Sequence, residues 1–324
     1  MKKIYLFLFS LLLFNGAYSQ APFWTETFSV APSGCGQGTL ASGYNPSGMG
    51  VWTTSLTGVN QATANAWFIS AAERGVGTGS CGLGCGGSQN RTLHISSTFT
   101  FIPGFYDNGA SYLSGAGANT NVRVESPVIN CTGQNSITLS FLYLAKGVIN
   151  QDYFDTWYYN GAVWALLSSP PMTPSAVCTP QGQWTTYTIA LPASANNNAN
   201  VKIGFRWQNV SASGSDPSVA IDDISLTAAP PTFSASFTLA NPLCSGKTTT
   251  VTANTGSIAA TGYTWSSNPA GPTFGTPNAS VTTITFPAAG TFSILLAAAS
   301  GTTIANNTQT TLINPTPNLT LAAS

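Results

Sequence analysis

The chain is punctuated into short apolar runs, each bounded by Gly, Asn, Pro or Ser, and no stretch of comparable length keeps a helical period. The clearest runs are residues 123–129, 136–144, 155–167, 184–191, 201–207 and 219–226. Short apolar or alternating segments between turn residues read as strands. Strands that follow one another without helices between them pair antiparallel and pack face to face, so the pattern predicts an all-β chain. The run 219–226 adds a local constraint. Val219 and Ile221 have one parity and Ile224 and Leu226 the other, so a regular strand cannot bury all four. A bulge at Asp222 and Asp223 reconciles them.

Residues 1–19 carry a basic start at Lys2 and Lys3, an apolar run to Phe14 and a small, polar end at Ala17 and Ser19. That order is a secretory signal peptide, which predicts a secreted, extracellular chain. No later run reaches the length a membrane helix needs, so no transmembrane segment is expected. Charged residues are 6% of the chain, against about 25% in an ordinary soluble domain. Thr, Ser, Asn and Gly therefore carry solubility. A formal net charge of +0 gives no electrostatic ground for nucleic acid or acidic lipid as a partner.

The charges are also unevenly placed. Every acidic residue lies between Glu26 and Asp223, and Lys247 is the one charged residue after them. A domain boundary near Ala228 and Ala229 follows. Residues 20–228, with their many strands, fit a jelly-roll β-sandwich. Residues 229–314, richer in Thr, Ala and Pro, fit a small immunoglobulin-like sandwich: Tyr263 and Trp265 share a strand face, and residues 286–294 describe a strand end, a turn and another strand. The stretch 314–321 echoes the start of that second domain, so residues 315–324 read as a linker or the beginning of a further repeat.

Six cysteines in an exported chain are expected to be largely oxidised. Cys131 ends one predicted strand and Cys178 precedes another, which pairs Cys131 with Cys178 if those strands are neighbours. Cys35 then takes either Cys81 or Cys85, and Cys244 stands apart in the second domain. The glycines of 75–87 make that segment a loop, pinned by cystine.

Three sets of residues are candidates for chemistry. Asp222 and Asp223, at the rim of a sheet, need a compensating charge, and a structural calcium ion taking six to eight oxygens supplies it. Arg123 and Arg206 are the competing partners for these carboxylates. Trp157, Tyr158, Tyr159 and Trp164 flank an Asn160–Gly161 hairpin turn and are candidate glycan contacts; alternation places Asp155, Trp157 and Tyr159 on one face and Thr156 and Tyr158 on the other. Asp152 and Asp155 lie beside a turn and are expected in solvent, and His94 sits in an apolar strand without a nucleophile motif. Neither pattern supports catalysis, so no enzyme is expected.

The segment Val219-Ala220-Ile221-Asp222-Asp223-Ile224 resembles the last strand of MAM-type and cleaved-adhesin jelly rolls. The segments 124–129, 137–141, 182–184 and 202–207 are similar to the N-terminal domains of surface proteins exported by type IX secretion. This resemblance spans roughly residues 23–227. It implies an acidic calcium ligand on the first strand, at Glu26, and the outer-membrane secretion machinery as a partner. The second domain is similar to PKD-like modules through Tyr263, Trp265, Gly290 and Phe292. Together they imply a cell-surface adhesion or recognition protein whose jelly roll binds a protein or glycan, with the PKD-like module as spacer. The alternatives are the carbohydrate-binding accessory region of a longer secreted hydrolase and a passive structural stalk.

Overall fold

The computed structural model describes residues 21–29, 35, 38–45, 49–61, 65–82, 84–85, 90–98, 107–115, 117–173, 176–179, 181–210, 213–229, 232–240 and 243–317. The expected signal peptide and most of the expected further repeat lie outside the described residues. The chain divides into two compact units that part between Ala229 and Pro230. Both are built of strands, and no helix among the described residues is long and apolar enough to cross a membrane.

The first unit contains β1 (Trp24–Glu26), β2 (Thr39–Leu40), β3 (Thr53–Leu56), β4 (Asn65–Ser70), β5 (Thr92–Ser97), β6 (Thr120–Glu125), β7 (Thr138–Ala145), β8 (Asp152–Tyr159), β9 (Trp164–Ser168), β10 (Thr185–Ala190), β11 (Lys202–Asn209) and β12 (Val219–Thr227). Each of the six runs singled out in the sequence overlaps a strand, and 155–167 covers the end of β8, a turn and most of β9. A seven-stranded sheet has the order β10-β7-β12-β5-β4-β2, with β1 also on β12; a five-stranded sheet has the order β3-β6-β11-β8-β9. Every pairing in both is antiparallel. The two sheets form a jelly-roll sandwich. Trp52, Trp67, Phe141, Tyr143, Phe205 and Trp207 are fully buried between them, and Phe141 meets Phe205 edge to face at 5.1 Å.

β12 resolves its parity conflict with a bulge. Its register against β7 shifts between Asp222 and Ser225, Asp223 takes a left-handed φ of 48°, and Val219, Ile221, Ile224 and Leu226 all enter one core. The bulge also marks a change of neighbour. Before it, Ala220 and Ile221 pair with His94 and Leu93 of β5; after it, Ile224, Ser225 and Leu226 pair with Glu26, Thr25 and Trp24 of β1.

The second unit contains β13 (Phe233–Ser236), β14 (Leu243–Cys244), β15 (Thr248–Thr252), β16 (Asn254–Gly256), β17 (Gly262–Asn268), β18 (Thr273–Phe274), β19 (Val281–Thr285), β20 (Gly290–Ser300) and β21 (Thr303–Asn314). Sheets ordered β14-β21-β20-β17 and β15-β19-β18 accompany the pair β13-β16. This is a small β-sandwich with its own core, in which Trp265 meets Phe237 edge to face at 5.0 Å and Phe286, Ile294 and Leu296 are fully buried.

The disulfides correct the expected pairing. Cys81 is joined to Cys178, and Cys35 to Cys85; Cys131 and Cys244 are free. The reason is register. Cys81 bridges to Gln183, flanked by Gly79 N–H to Trp184 O and Gly82 N–H to Gly182 O. The turn closed by Gly182 N–H to Cys178 O brings Cys178 back against Cys81. Cys131 instead donates its backbone N–H to Asn198 O and buries its thiol, where burial pushes its pKa up to about 11.

Candidate functional site

The outward face of the five-stranded sheet carries a ladder of aromatic rings and guanidinium groups. Registration builds it: Arg206 of β11 stands opposite Arg123 of β6 and Asp155 of β8, while Gly204 stands opposite Trp157 and Glu125. β9 returns along β8 and places Trp164 beside Tyr159, their rings 5.3 Å apart. The Arg123 guanidinium lies 4.1 Å from the Trp164 ring centre and 5.5 Å from that of Trp157, and the Arg206 guanidinium lies 5.2 Å from the Trp157 ring centre. Gly204 makes room, since a Cβ there would come within 2.9 Å of both Arg123 Cδ and the Trp164 ring. Arg123 donates to Glu125 at 2.8 Å, and Arg206 pairs with Asp155, which also accepts from Ser169 at 2.6 Å. The cations are thus each held by a carboxylate and by a ring face. Trp157, Tyr159 and Trp164 are half-buried, and the Trp157 indole N–H has no acceptor.

Three of the four aromatic candidates share this face; Tyr158 does not. It points inward and is 2% exposed, part of the core between the sheets, because β8 alternates and Phe154, Thr156 and Tyr158 take the inner side. The sequence placed Trp157 and Tyr159 together, but not Arg123 and Arg206 beneath them. That juxtaposition depends on the order β6-β11-β8, which no local pattern encodes.

The expected calcium ligands fall at the bulge, in unequal settings. Asp222 is fully buried, accepting from Asp223 N–H and from Asn90 Nδ2, both at 2.8 Å. Gly75 packs so close that a Cβ there would collide with the Asp222 carboxylate. Burial, then the charges of Asp223 and Glu26, push the Asp222 pKa up to about 8. Glu26 is buried as well, accepting from Phe28 N–H at 2.7 Å and from Trp52 Nε1 at 3.4 Å, and burial raises its pKa. The Asp223 side chain is exposed. Neither Arg123 nor Arg206 reaches this trio, since both are engaged on the other sheet. Among the described residues no group of three or more His, Cys, Asp or Glu side chains is placed to hold a metal ion. As they stand, Asp222 and Glu26 turn their oxygens to N–H donors.

His94 on β5 is fully buried and its Nε2 lies 2.8 Å from Asp107 Oδ1. Ser70 Oγ donates to the other oxygen of Asp107 at 2.5 Å rather than to His94, so the carboxylate sits between the two and the imidazole does not reach the hydroxyl. Burial acts to lower the His94 pKa, but the charge and hydrogen bond of Asp107 outweigh it and the net shift is upward. Asp107 is held down at about 2, since its partners outweigh its burial.

Asp152 and Asp155 are not the solvated pair expected. Both are buried and lie on opposite faces of β8. Asp155 faces out to Arg206, while Asp152 faces inward, where Tyr112 Oη donates to it at 2.5 Å and Val148 N–H at 2.7 Å.

The fold and this face define the class of molecule: a β-sandwich module with a polar-aromatic sheet surface, followed by a second small sandwich. No family model matches the chain, and neither does any curated protein. Among solved structures it is similar to the glycoside hydrolase domain of Endo-D from Streptococcus pneumoniae, with 12% identity and a TM-score of 0.32, over 81% of this chain and 37% of that one. At that level the similarity carries no argument about activity.

Proposed function

We propose that this is a non-catalytic extracellular recognition protein, in which the outward face of the five-stranded sheet binds a glycan or protein and the second unit serves as a spacer. The observation that carries the reading is the ladder Tyr159, Trp164, Arg123, Trp157, Arg206: tryptophan rings held against guanidinium groups and carried on strands of a sheet rather than on a loop. Rings held in this way offer apolar surface at little cost in side-chain order. The two disulfides support an oxidising compartment. The resemblance of β12 and its neighbours to MAM-type and cleaved-adhesin jelly rolls supports export through the outer-membrane secretion machinery and a place at the cell surface.

The test is binding of the intact chain to an array of extracellular glycans and matrix proteins, repeated with Trp164→Ala and Trp157→Ala. A ligand lost in both variants while the fold is retained supports the sheet face as the site. Binding unaffected by either substitution refutes the face, and no binding at all favours the passive stalk.

A further inference from the structure

β10 is an outer strand of the seven-stranded sheet, paired on one side with β7 over six rungs without a register shift. Backbone groups along such a strand turn alternately to the partner and to the free edge. Leu191 N–H donates to Ile137 O, so the odd-numbered positions face β7; Trp184, of the other parity, donates its N–H to Ser80 O and accepts from Gly79 N–H on the opposite side. Thr186, Thr188 and Ala190 therefore turn both backbone groups to the free edge, where no hydrogen bond among the described residues takes them up. Their side chains are exposed, and Tyr187 and Ile189 between them are half-buried at the margin of the core.

An open strand edge is a template for another strand, and proteins guard such edges by charge, by bulges or by brevity. The other outer strands of the two sheets are guarded in this way: β2 is two residues long, β3 is four, and β9 is bulged against β8. β10 has none of these devices. No charged residue occurs from Thr156 to Val201, and β7 beside it has none. The edge also has a defined length. Gly79 and Ser80 occupy it as far as Trp184, and the chain turns off at Pro192 into the turn 193–195. What is left open is the length of β10 itself.

We propose that a second copy of this chain fills it, β10 pairing antiparallel with its counterpart about a twofold axis at Thr188. This register sets Thr188 opposite Thr188 and Thr186 opposite Ala190 of the second copy, so all three free residues exchange both backbone hydrogen bonds. A shift by one residue sets free groups against groups already used. A shift by two sets Ala190 against Trp184, already bonded to Gly79 and Ser80, or Thr186 against Pro192, which has no N–H. On the core side Tyr187 lies against Ile189 of the second copy; on the outer side threonine meets threonine, a favourable cross-strand pair. The same patch serves both copies, as a twofold dimer requires. Because the axis is normal to the shared sheet, the two five-stranded sheets lie on the same side of it. Their ladders then face one way and recognition becomes bivalent; that consequence rests on the proposed function, and the dimer does not.

Sedimentation velocity on the intact chain, from micromolar to millimolar concentration, tests the dimer. The unaltered chain is expected to pass from monomer to dimer across that range. Thr188→Lys and Thr188→Glu, at an exposed position, should each weaken association about tenfold or more, because like charges meet on the axis, and mixing the two variants should restore it. Trp164→Ala should leave the dimer unchanged, so failure of the sheet face as a binding site and failure of the dimer are read separately. An unaltered chain that stays monomeric throughout overturns the proposal. So does a dimer that persists in both Thr188 variants, or a mixture of the two that associates no better than either alone.

Discussion

Asp223 donates its backbone N–H to the carboxylate of Asp222 at 2.8 Å, so two acids adjacent in sequence are bound together while one side chain is fully buried and the other is in solvent. Burial first, then the neighbouring charges, raises the Asp222 pKa from 3.8 to about 8. For an acid whose folded pKa is raised, the contribution to stability is fully present below the ordinary carboxylate range and is lost as pH rises toward 8. The first unit should therefore lose stability between about pH 4 and about pH 8, by no more than about 1.4 kcal/mol per pH unit from this group. Thermal melts of Asp222→Asn should be flatter over that window. An unchanged slope would assign the dependence to another group.

Calcium tests the same bulge from the other side. With the oxygens of Asp222 and Glu26 on N–H donors, Tm should be the same in calcium and in chelator. A rise in calcium that Asp222→Ala abolishes would mean that the ion displaces those donors, and would restore the trio Glu26, Asp222 and Asp223 as its ligands.

The buried His94–Asp107 pair adds a term with two limits. The raised His94 pKa gives stability that is complete below the ordinary histidine value and lost as pH rises through the folded one; the depressed Asp107 pKa gives stability complete above the ordinary carboxylate value and lost as pH falls toward 2. Both are in force between about pH 4 and about pH 6.5. His94→Ala should cost about 3–5 kcal/mol in that window, because it leaves Asp107 buried without its partner. Urea denaturation at several pH values reads this directly. A loss below about 1 kcal/mol would show that the pair is not charged in the folded protein.

Joining Cys81 to Cys178 closes a loop with a sequence separation of 97. Replacing both by Ser should lower stability by about 4 kcal/mol. Peptide mapping under non-reducing conditions should recover Cys81 with Cys178 and Cys35 with Cys85, and Cys131 should resist alkylation until the chain is unfolded. A Cys131–Cys178 peptide would refute this connectivity.

Arg123 and Trp164 should be energetically coupled. A double-mutant cycle through Arg123→Met and Trp164→Leu is expected to give about 0.5–2 kcal/mol. Additive single effects would mean that the stacked geometry contributes no specific interaction.

The bulge at Asp222 was legible in the sequence because parity is a local property: four apolar residues on two phases of one strand leave no regular solution. The alternation of β8 was equally legible, but which phase faced the core was not, and Tyr158 shows the consequence. Cysteine pairing was opaque for a different reason. Cys81 finds Cys178 through the register of 79–82 against 182–184, a contact set by the fold and invisible in spacing. Asp152 was misjudged because nearness to a turn usually means solvent; here the turn itself, through Gly147, folds over the carboxylate. Arg123 beneath Trp164 required strand order, which emerges only when the sheets assemble.

The pairing of β1 with β12 has a mechanical meaning. Trp24 lies opposite Leu226 and Glu26 opposite Ile224, so the chain reaches the first unit and leaves it at the same end of one antiparallel ribbon. A force pulling residues 23 and 228 apart therefore does not shear the sheet. It peels β1 away one rung at a time, while β12 stays clamped to β7 along its other edge. Under tension the first strand is a tear strip that yields early, and the buried layer between the two sheets lies outside the line of force.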